Sequence, residues 1–175
     1  MKENEAFLFV GDMPSFDCLL ADVLSLTNED WLKYGDRKIG SAAANTNTIP
    51  LIYDTQHRLN SSIFHENHER FSPYIDEVIL AAIKLVGIVK TKQAMLTKLK
   101  ANTLIPRHRD RGPLTAKTHR IHIPIVTNTE CIFSVGDEFK NLEAGQIWII
   151  DNVNRYHSVE NKGQQDRVHL IIDAI

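Results

Sequence analysis

Two segments in the last third of the chain, 120–125 (RIHIPI) and 167–172 (RVHLII), repeat one pattern, and this pattern constrains the fold more than any other feature. In the first, Ile121, Ile123 and Ile125 alternate with Arg120 and His122. In the second, Val168, Leu170 and Ile172 alternate with Arg167 and His169. A period of two puts the members of each set on one face of a strand and the two sets on opposite faces. The apolar face can pack against helices. The other carries Arg and His on both strands, and buried charge is costly unless paired. Such a face reads as the lining of a cavity that receives an anion.

Other short strand-like runs flank these two. Segments 94–100, 118–126, 130–135, 146–151, 155–160 and 167–173 are separated by turn residues. That density predicts a mainly β fold, a double-stranded β-helix (jelly roll), backed by helices from the N-terminal part. Before residue 92 helical periodicity dominates. Phe7–Val10 reads as a strand, Ser15–Leu26 as a helix, 34–48 as irregular and Ile49–Tyr53 as a strand. A helix begins at Ser72-Pro73, with Ser as N-cap and Pro at the first helical position. Its apolar face is Ile75, Val78, Ile79, Ala82, Val86 and Val89. The 175 residues show no repeat or linker and suit one domain. Within it, 1–92 would supply helical support and substrate-side elements, and 93–175 the β core.

Composition narrows the partners. A net charge of -2 favours neither nucleic acid nor an anionic membrane. The start, MKENEAFLFV, has too short an apolar run for a secretory signal, and Lys84 interrupts the longest apolar run, Val78–Val89. Cys18 and Cys131 show no metal spacing and no disulfide framework, so a reducing cytoplasm is the expected compartment. Oligomeric state leaves no mark in the sequence.

The chemistry-bearing residues are His108-x-Asp110, His157 and Arg167. Two histidines and a carboxylate are the ligand set of mononuclear non-haem Fe(II) with positions left open, and Arg grips a carboxylate bidentately. On a strand, His108 and Asp110 would share a face. Asn161-Lys162-Gly163 reads as a hairpin turn that sets residue 157 opposite residue 167, placing the third ligand beside the anion anchor. Blander readings stand alongside: RHRDRG as a surface turn, His157 as a hydrogen-bonded strand histidine, Arg167 as a surface arginine. Asp151 and Asn152 either orient the ligands or cap a strand end. Trp148 reads as core. His57 lies in a polar segment, and His65-x-x-His68 reads as a solvated helix face rather than a metal site.

From Gln93 to Ile175 the chain resembles the aspartyl/asparaginyl β-hydroxylase-like domain of the Fe(II)/2-oxoglutarate-dependent oxygenases, a branch that includes bacterial prolyl hydroxylases. The resemblance is carried by LIPRHRD, RIHIPI and AGQIWIIDN-x4-H-x9-R-x-HLIID. TIPLIYD and the helix at Ser72 suit it less distinctively. It implies Fe(II) held by His108, Asp110 and His157, with 2-oxoglutarate and O2 as co-substrates. Arg167 would hold the distal carboxylate of 2-oxoglutarate, and Arg120, His122 and Thr97 would line its pocket. No catalytic side chain beyond the ligands is implied. The expected reaction hydroxylates an unactivated C–H bond of an amino acid or of a peptide or protein side chain. The animal aspartyl/asparaginyl hydroxylases have glycine where this chain has Asp110, so the likeness is nearer the bacterial amino-acid hydroxylases, and the retained carboxylate argues against halogenation. The prolyl hydroxylases extend beyond the last strand to cover their substrate, which sets an expectation against free proline. Arg107, Arg111, Arg155 and the loop Asn45–Thr48 are candidate substrate contacts, the loop as a lid. A cupin-like module binding metal or a small acid without turnover, and a metal enzyme independent of 2-oxoglutarate, use the same residues.

Overall fold

The fold was analysed in a computed structural model, which describes residues 5–34, 44–54, 62–71, 74–88, 90–112 and 114–175. In chain order the elements are β1 (Phe7–Asp12), α1 (Asp17–Ser25), α2 (Asn28–Tyr34), β2 (Thr46–Asp54), β3 (Ser62–Phe64), α3 (His68–Phe71), α4 (Tyr74–Val86), β4 (Thr91–Leu99), β5 (Thr103–His108), β6 (His119–Val126), β7 (Cys131–Val135), β8 (Glu138–Lys140), β9 (Gln146–Ile150), β10 (His157–Asn161) and β11 (Arg167–Ala174). A seven-stranded sheet runs β1-β9-β6-β11-β4-β2-β3, and a four-stranded sheet runs β5-β10-β7-β8. Every strand pair is antiparallel. This is the expected jelly roll.

The large sheet is buried on both faces, and the alternation of its strands explains why. Ile121, Ile123 and Ile125 of β6 and Val168, Leu170 and Ile172 of β11 turn outward. They join Leu19 and Val23 of α1 and Ile75, Val78, Ile79, Ala82 and Ile83 of α4 in one apolar cluster. Each such aliphatic side chain contributes about 1.5–3 kcal/mol by leaving water. Helix α4 buries these residues at the i, i+3, i+4 spacing. It ends in a Schellman motif: Gly87 adopts φ +74°, its N–H donates to Lys84 O, and Ile88 N–H donates to Ile83 O. A second cluster, with Phe7, Leu99, Cys131, Phe133, Trp148, Ile150 and Val159, fills part of the space between the sheets. Trp148 is core, as expected. The rest of that space is polar and forms the site.

Several expectations need correction. Ser72, Pro73 and Val89 lie outside the described residues, so the helix start is not at issue; nor is His57, or 35–43 of the segment read as irregular. Thr46 and Thr48 belong not to a loop but to β2, where both are buried. Strands β5 and β8 were not expected. Strand β5 has only Thr103, Leu104 and Ile105 ahead of a proline, and β8 is three residues long; neither presents a readable period. His68 is not on a solvated face: it is buried and its Nε2 lies 2.7 Å from Asp76 Oδ1. No helix among the described residues is long and apolar enough to cross a membrane.

The largest correction concerns β10 and β11. They do not form a hairpin. Strand β10 pairs with β5 and β7, whereas β11 pairs with β4 and β6. The turn at 161–166 carries the chain from one sheet to the other. His157 and Arg167 therefore line one cavity from opposite sheets, rather than standing side by side within one.

Candidate metal and anion site

The site lies between the sheets, and one side of it is a cluster of three ligand atoms. His157 of β10 is the direct register partner of His108 of β5, and the two rings lie 4.2 Å apart. Asp110 falls just past the end of β5 rather than on it. Its position comes from a backbone bond: Asp110 N–H donates to Asn152 O at 2.9 Å. Asp110 Oδ1 then sits 3.4 Å from His108 Nε2 and 3.9 Å from His157 Nε2. One ligand atom from each of these residues lies within 4.8 Å of the others, and among the described residues this is the only such group.

Local bonds prepare these atoms. His108 Nδ1 donates to Pro106 O at 2.8 Å, which turns Nε2 toward Asp110, and the hydrogen bond with that carboxylate raises the His108 pKa above the usual imidazole value. His157 is held mostly neutral by burial, which outweighs the pull of Asp110 and brings its pKa down to about 4. Its nitrogen lone pair is thus available at neutral pH. The carboxylate of Asp110 stays ionised. Burial opposes this, but the hydrogen bond with His108, the Arg120 charge and Asn152 together prevail. The second oxygen, Oδ2, accepts from Asn152 Nδ2 at 2.6 Å and from Arg120 Nη1. Asn152 thus orients the ligand set, whereas Asp151 closes its own turn on Asn154 and pairs with Arg155.

The other side of the cavity is built for negative charge. Arg167 is 1% exposed, and its Nε and Nη1 have no hydrogen-bond partner. The guanidinium lies 5.1 Å from the centre of the Phe133 ring and touches the Cys131 thiol. Burial pushes that thiol up, so it stays protonated and offers no counter-charge. Desolvation lowers the Arg167 pKa to about 10, still charged at neutral pH. Thr97 lines the cavity with a hydroxyl that has no hydrogen-bond partner, and Thr48 and His169 carry further buried polar atoms without partners beside it. They form one row across the sheet, since Thr48 pairs with Thr97 and Thr97 with His169. His122 and His169 touch through their Nδ1 atoms at 3.4 Å, and burial drives both well below the usual imidazole range. Two neutral rings therefore separate the cationic arginine from the ligand cluster. Phe133, Ile105, Val159 and Ile171 complete the cavity wall.

Of the residues singled out from sequence, the fold brings His108, Asp110, His157, Arg120, His122, Thr97 and Arg167 around one cavity. Arg120 is not free there: all three of its nitrogens contact carboxylates, those of Asp110 and Asp173. Arg107 and Arg109 instead lie over the ring of Tyr156, which is half exposed. Arg155 lines a separate hollow of about 660 Å³ that meets the site at Arg120 and Asn152. Thr46, from the segment Asn45–Thr48 named as a substrate contact, also lines this cavity, whereas sequence reasoning missed Asp173. The signal for Asp173 was present, since it continues the 167, 169, 171 face of β11.

Comparison with known proteins follows the same line. The profile of the aspartyl/asparaginyl beta-hydroxylase family matches residues 29–175. An L-proline cis-4-hydroxylase of Rhizobium meliloti (strain 1021) is 26% identical over 101 residues, which is 58% of this chain but only 35% of that protein's length. Among solved structures, a 2OG-Fe(II) oxygenase family oxidoreductase from Burkholderia pseudomallei has a TM-score of 0.60 at 9% identity, over 96% of this chain and 83% of that one. A prolyl-4-hydroxylase of Pseudomonas putida gives 0.58 at 11% identity, over 98% and 93%. At such identities the structural likeness is one of fold.

Proposed function

We infer the activity from a premise that the profile match supplies: this chain belongs to the aspartyl/asparaginyl β-hydroxylase family. We propose that it is an Fe(II)- and 2-oxoglutarate-dependent oxygenase. It would hydroxylate an unactivated C–H bond of an amino acid, or of a peptide or protein side chain, with release of succinate and CO2. The observation that carries this reading is a fully buried guanidinium, with two nitrogens unpaired and no counter-charge, in the cavity that also holds a His-Asp-His cluster. One cavity offers a cation site and an anion site, which suits a dicarboxylate that spans them.

The donor set fits the metal: two imidazole nitrogens and one carboxylate oxygen suit Fe(II) with positions left open. His108, Asp110 and His157 would hold it. Iron with O2 and 2-oxoglutarate supplies the oxidising chemistry when bound. The chain's own residues supply placement. Arg167 grips the distal carboxylate through its unpaired nitrogens, a charge-assisted contact. Thr97 offers a hydroxyl beside it. His122 lines the pocket and His169 lies against it, both kept neutral by burial. Phe133, Val159 and Ile105 exclude water. C–H hydroxylation needs no protein general base, so none is assigned. The partner is an amino acid or a peptide rather than nucleic acid or membrane. The cytoplasm suits a chain whose two cysteines are both free.

The test is anaerobic titration of the Fe(II)-loaded protein with 2-oxoglutarate, watching for the visible metal-to-ligand charge-transfer band. A band in the wild type that is lost in Asp110→Ala and in His157→Ala supports the reading, and Arg167→Lys should weaken the titration because Lys cannot fork. Absence of the band in metal-loaded wild type sinks it and favours a module independent of 2-oxoglutarate.

A further inference from the structure

Asp173 is 0% exposed, near the end of β11 and six residues beyond Arg167. Its register partner on β6 is Arg120. The two form a fork: Arg120 Nε donates to Asp173 Oδ1 at 2.7 Å and Nη2 to Oδ2 at 2.8 Å. The remaining nitrogen, Nη1, donates to Asp110 Oδ2. Three charged groups thus stand in line, Asp173, Arg120 and Asp110, and the last turns its other oxygen toward the two histidines.

A guanidinium alone would suffice to hold Asp110 Oδ2. It would also bring a full positive charge close to the place where a divalent cation binds, and would draw the carboxylate's charge away from it. A buried carboxylate behind the guanidinium removes that opposition, because the Arg120–Asp173 pair is neutral as a unit. Asp110 then keeps its negative charge for the cation, while Arg120 and Asn152 still pin Oδ2. Burial opposes the charge on Arg120, but the attraction of Asp173 and then Asp110 prevails and holds the guanidinium firmly protonated.

We propose that Asp173 is a positioning residue for the metal site. Acting through Arg120, it sets the orientation of the Asp110 carboxylate and the charge which that carboxylate presents to a divalent cation. The proposal rests on reading His108, Asp110 and His157 as the ligands. The contrasting account is that the pair merely fastens β11 to β6.

Anaerobic titration with Co(II) separates the two accounts, following the d–d absorption bands of the full chain well below each variant's melting temperature. Wild type should bind one Co(II). Asp173→Asn should bind it 10- to 100-fold more weakly, with a shifted band, as partners behind metal ligands typically do. The double variant Arg120→Met with Asp173→Asn should bind more tightly than Asp173→Asn alone, because the opposing charge is gone. Unchanged affinity and spectrum in Asp173→Asn, with only a lower melting temperature, would overturn the proposal. So would a double variant no tighter than the single. Arg120→Lys keeps the charge and loses the fork, and carries the same test if Asp173→Asn does not fold: wild-type affinity and bands there also overturn it. Failure of wild type itself to bind Co(II) would instead sink the ligand assignment on which the proposal rests.

Discussion

Replacing Arg167 with Met should make the ligand-free protein more stable. Most substitutions at a fully buried position destabilise, so the sign of the effect is itself the test. Arg167 is 1% exposed, two of its nitrogens are unpaired, and the neighbouring thiol is protonated. Desolvation lowers its pKa from 12.5 to about 10. That difference of 2.5, at about 1.36 kcal/mol per pKa unit, is a native-state penalty of about 3 kcal/mol. The sign follows from the depressed value. Below pH 10 the arginine is charged in both states, so the penalty is present in full at neutral pH and disappears only as pH rises past the folded pKa. Met fills much of the same volume against Phe133 and has no charge to desolvate. It forfeits a cation–π contact of about 1 kcal/mol. The net gain is about 2 kcal/mol, or about 4–8 °C for a chain of this length. Thermal denaturation of the metal-free wild type and variant by circular dichroism measures it. The second arm uses Mn(II)-loaded protein. 2-Oxoglutarate should raise the melting temperature of wild type, and Arg167→Met should need at least about 30-fold more ligand, the loss expected when one partner of a buried charge pair is removed. A variant that melts below wild type without ligand, or that responds equally to 2-oxoglutarate, would refute the picture of Arg167 as an uncompensated cation awaiting a carboxylate.

Three further outcomes are expected. The buried pair His122 and His169, and His157 beside them, are neutral in the native chain, so below about pH 6.5 the unfolded chain takes up protons that the native chain refuses, and stability falls by about 1.4 kcal/mol per pH unit for each; urea unfolding from pH 7 to 5 should show this slope, and His169→Gln should cut it by about a third. A flat profile in wild type counts against the buried neutral pair. Asn152→Ala removes the 2.6 Å bond to Asp110 but keeps the backbone bond that places it, so Mn(II) affinity should drop about tenfold with little change in the metal-free melting curve, and an unchanged affinity would deny Asn152 any part in orienting the ligand. Gly145→Ala should cost about 2 kcal/mol or more, since φ is +81° and an added Cβ would lie 2.5 Å from Phe16 Cε1; a melting temperature within 1 °C of wild type, against an expected fall of about 4–8 °C, would show that Phe16 yields freely.

What was legible in the sequence was local periodicity and the chemistry of residue types. The alternation in 120–125 and 167–172 placed three aliphatic side chains of each strand against the helices and turned Arg120, His122, Arg167 and His169 inward, and the structure keeps every one of these assignments. That follows because a strand's two faces are a property of its own backbone. The spacing of His108 and Asp110 put two ligand types within reach of each other, although Asp110 lies past the strand and owes its place to Asn152.

Pairing between distant strands was decided only by the tertiary structure. A turn at Asn161-Lys162-Gly163 reads equally well as a hairpin or as a crossing between sheets, because the same turn chemistry serves both. The choice lies in which partners β10 and β11 find elsewhere, namely β5 and β7 for one and β4 and β6 for the other. For the same reason the face of β11 predicts that Asp173 points inward, but not that it meets Arg120. Local sequence determined which way each side chain faces; the long-range register determined which charges face each other, and with that the site.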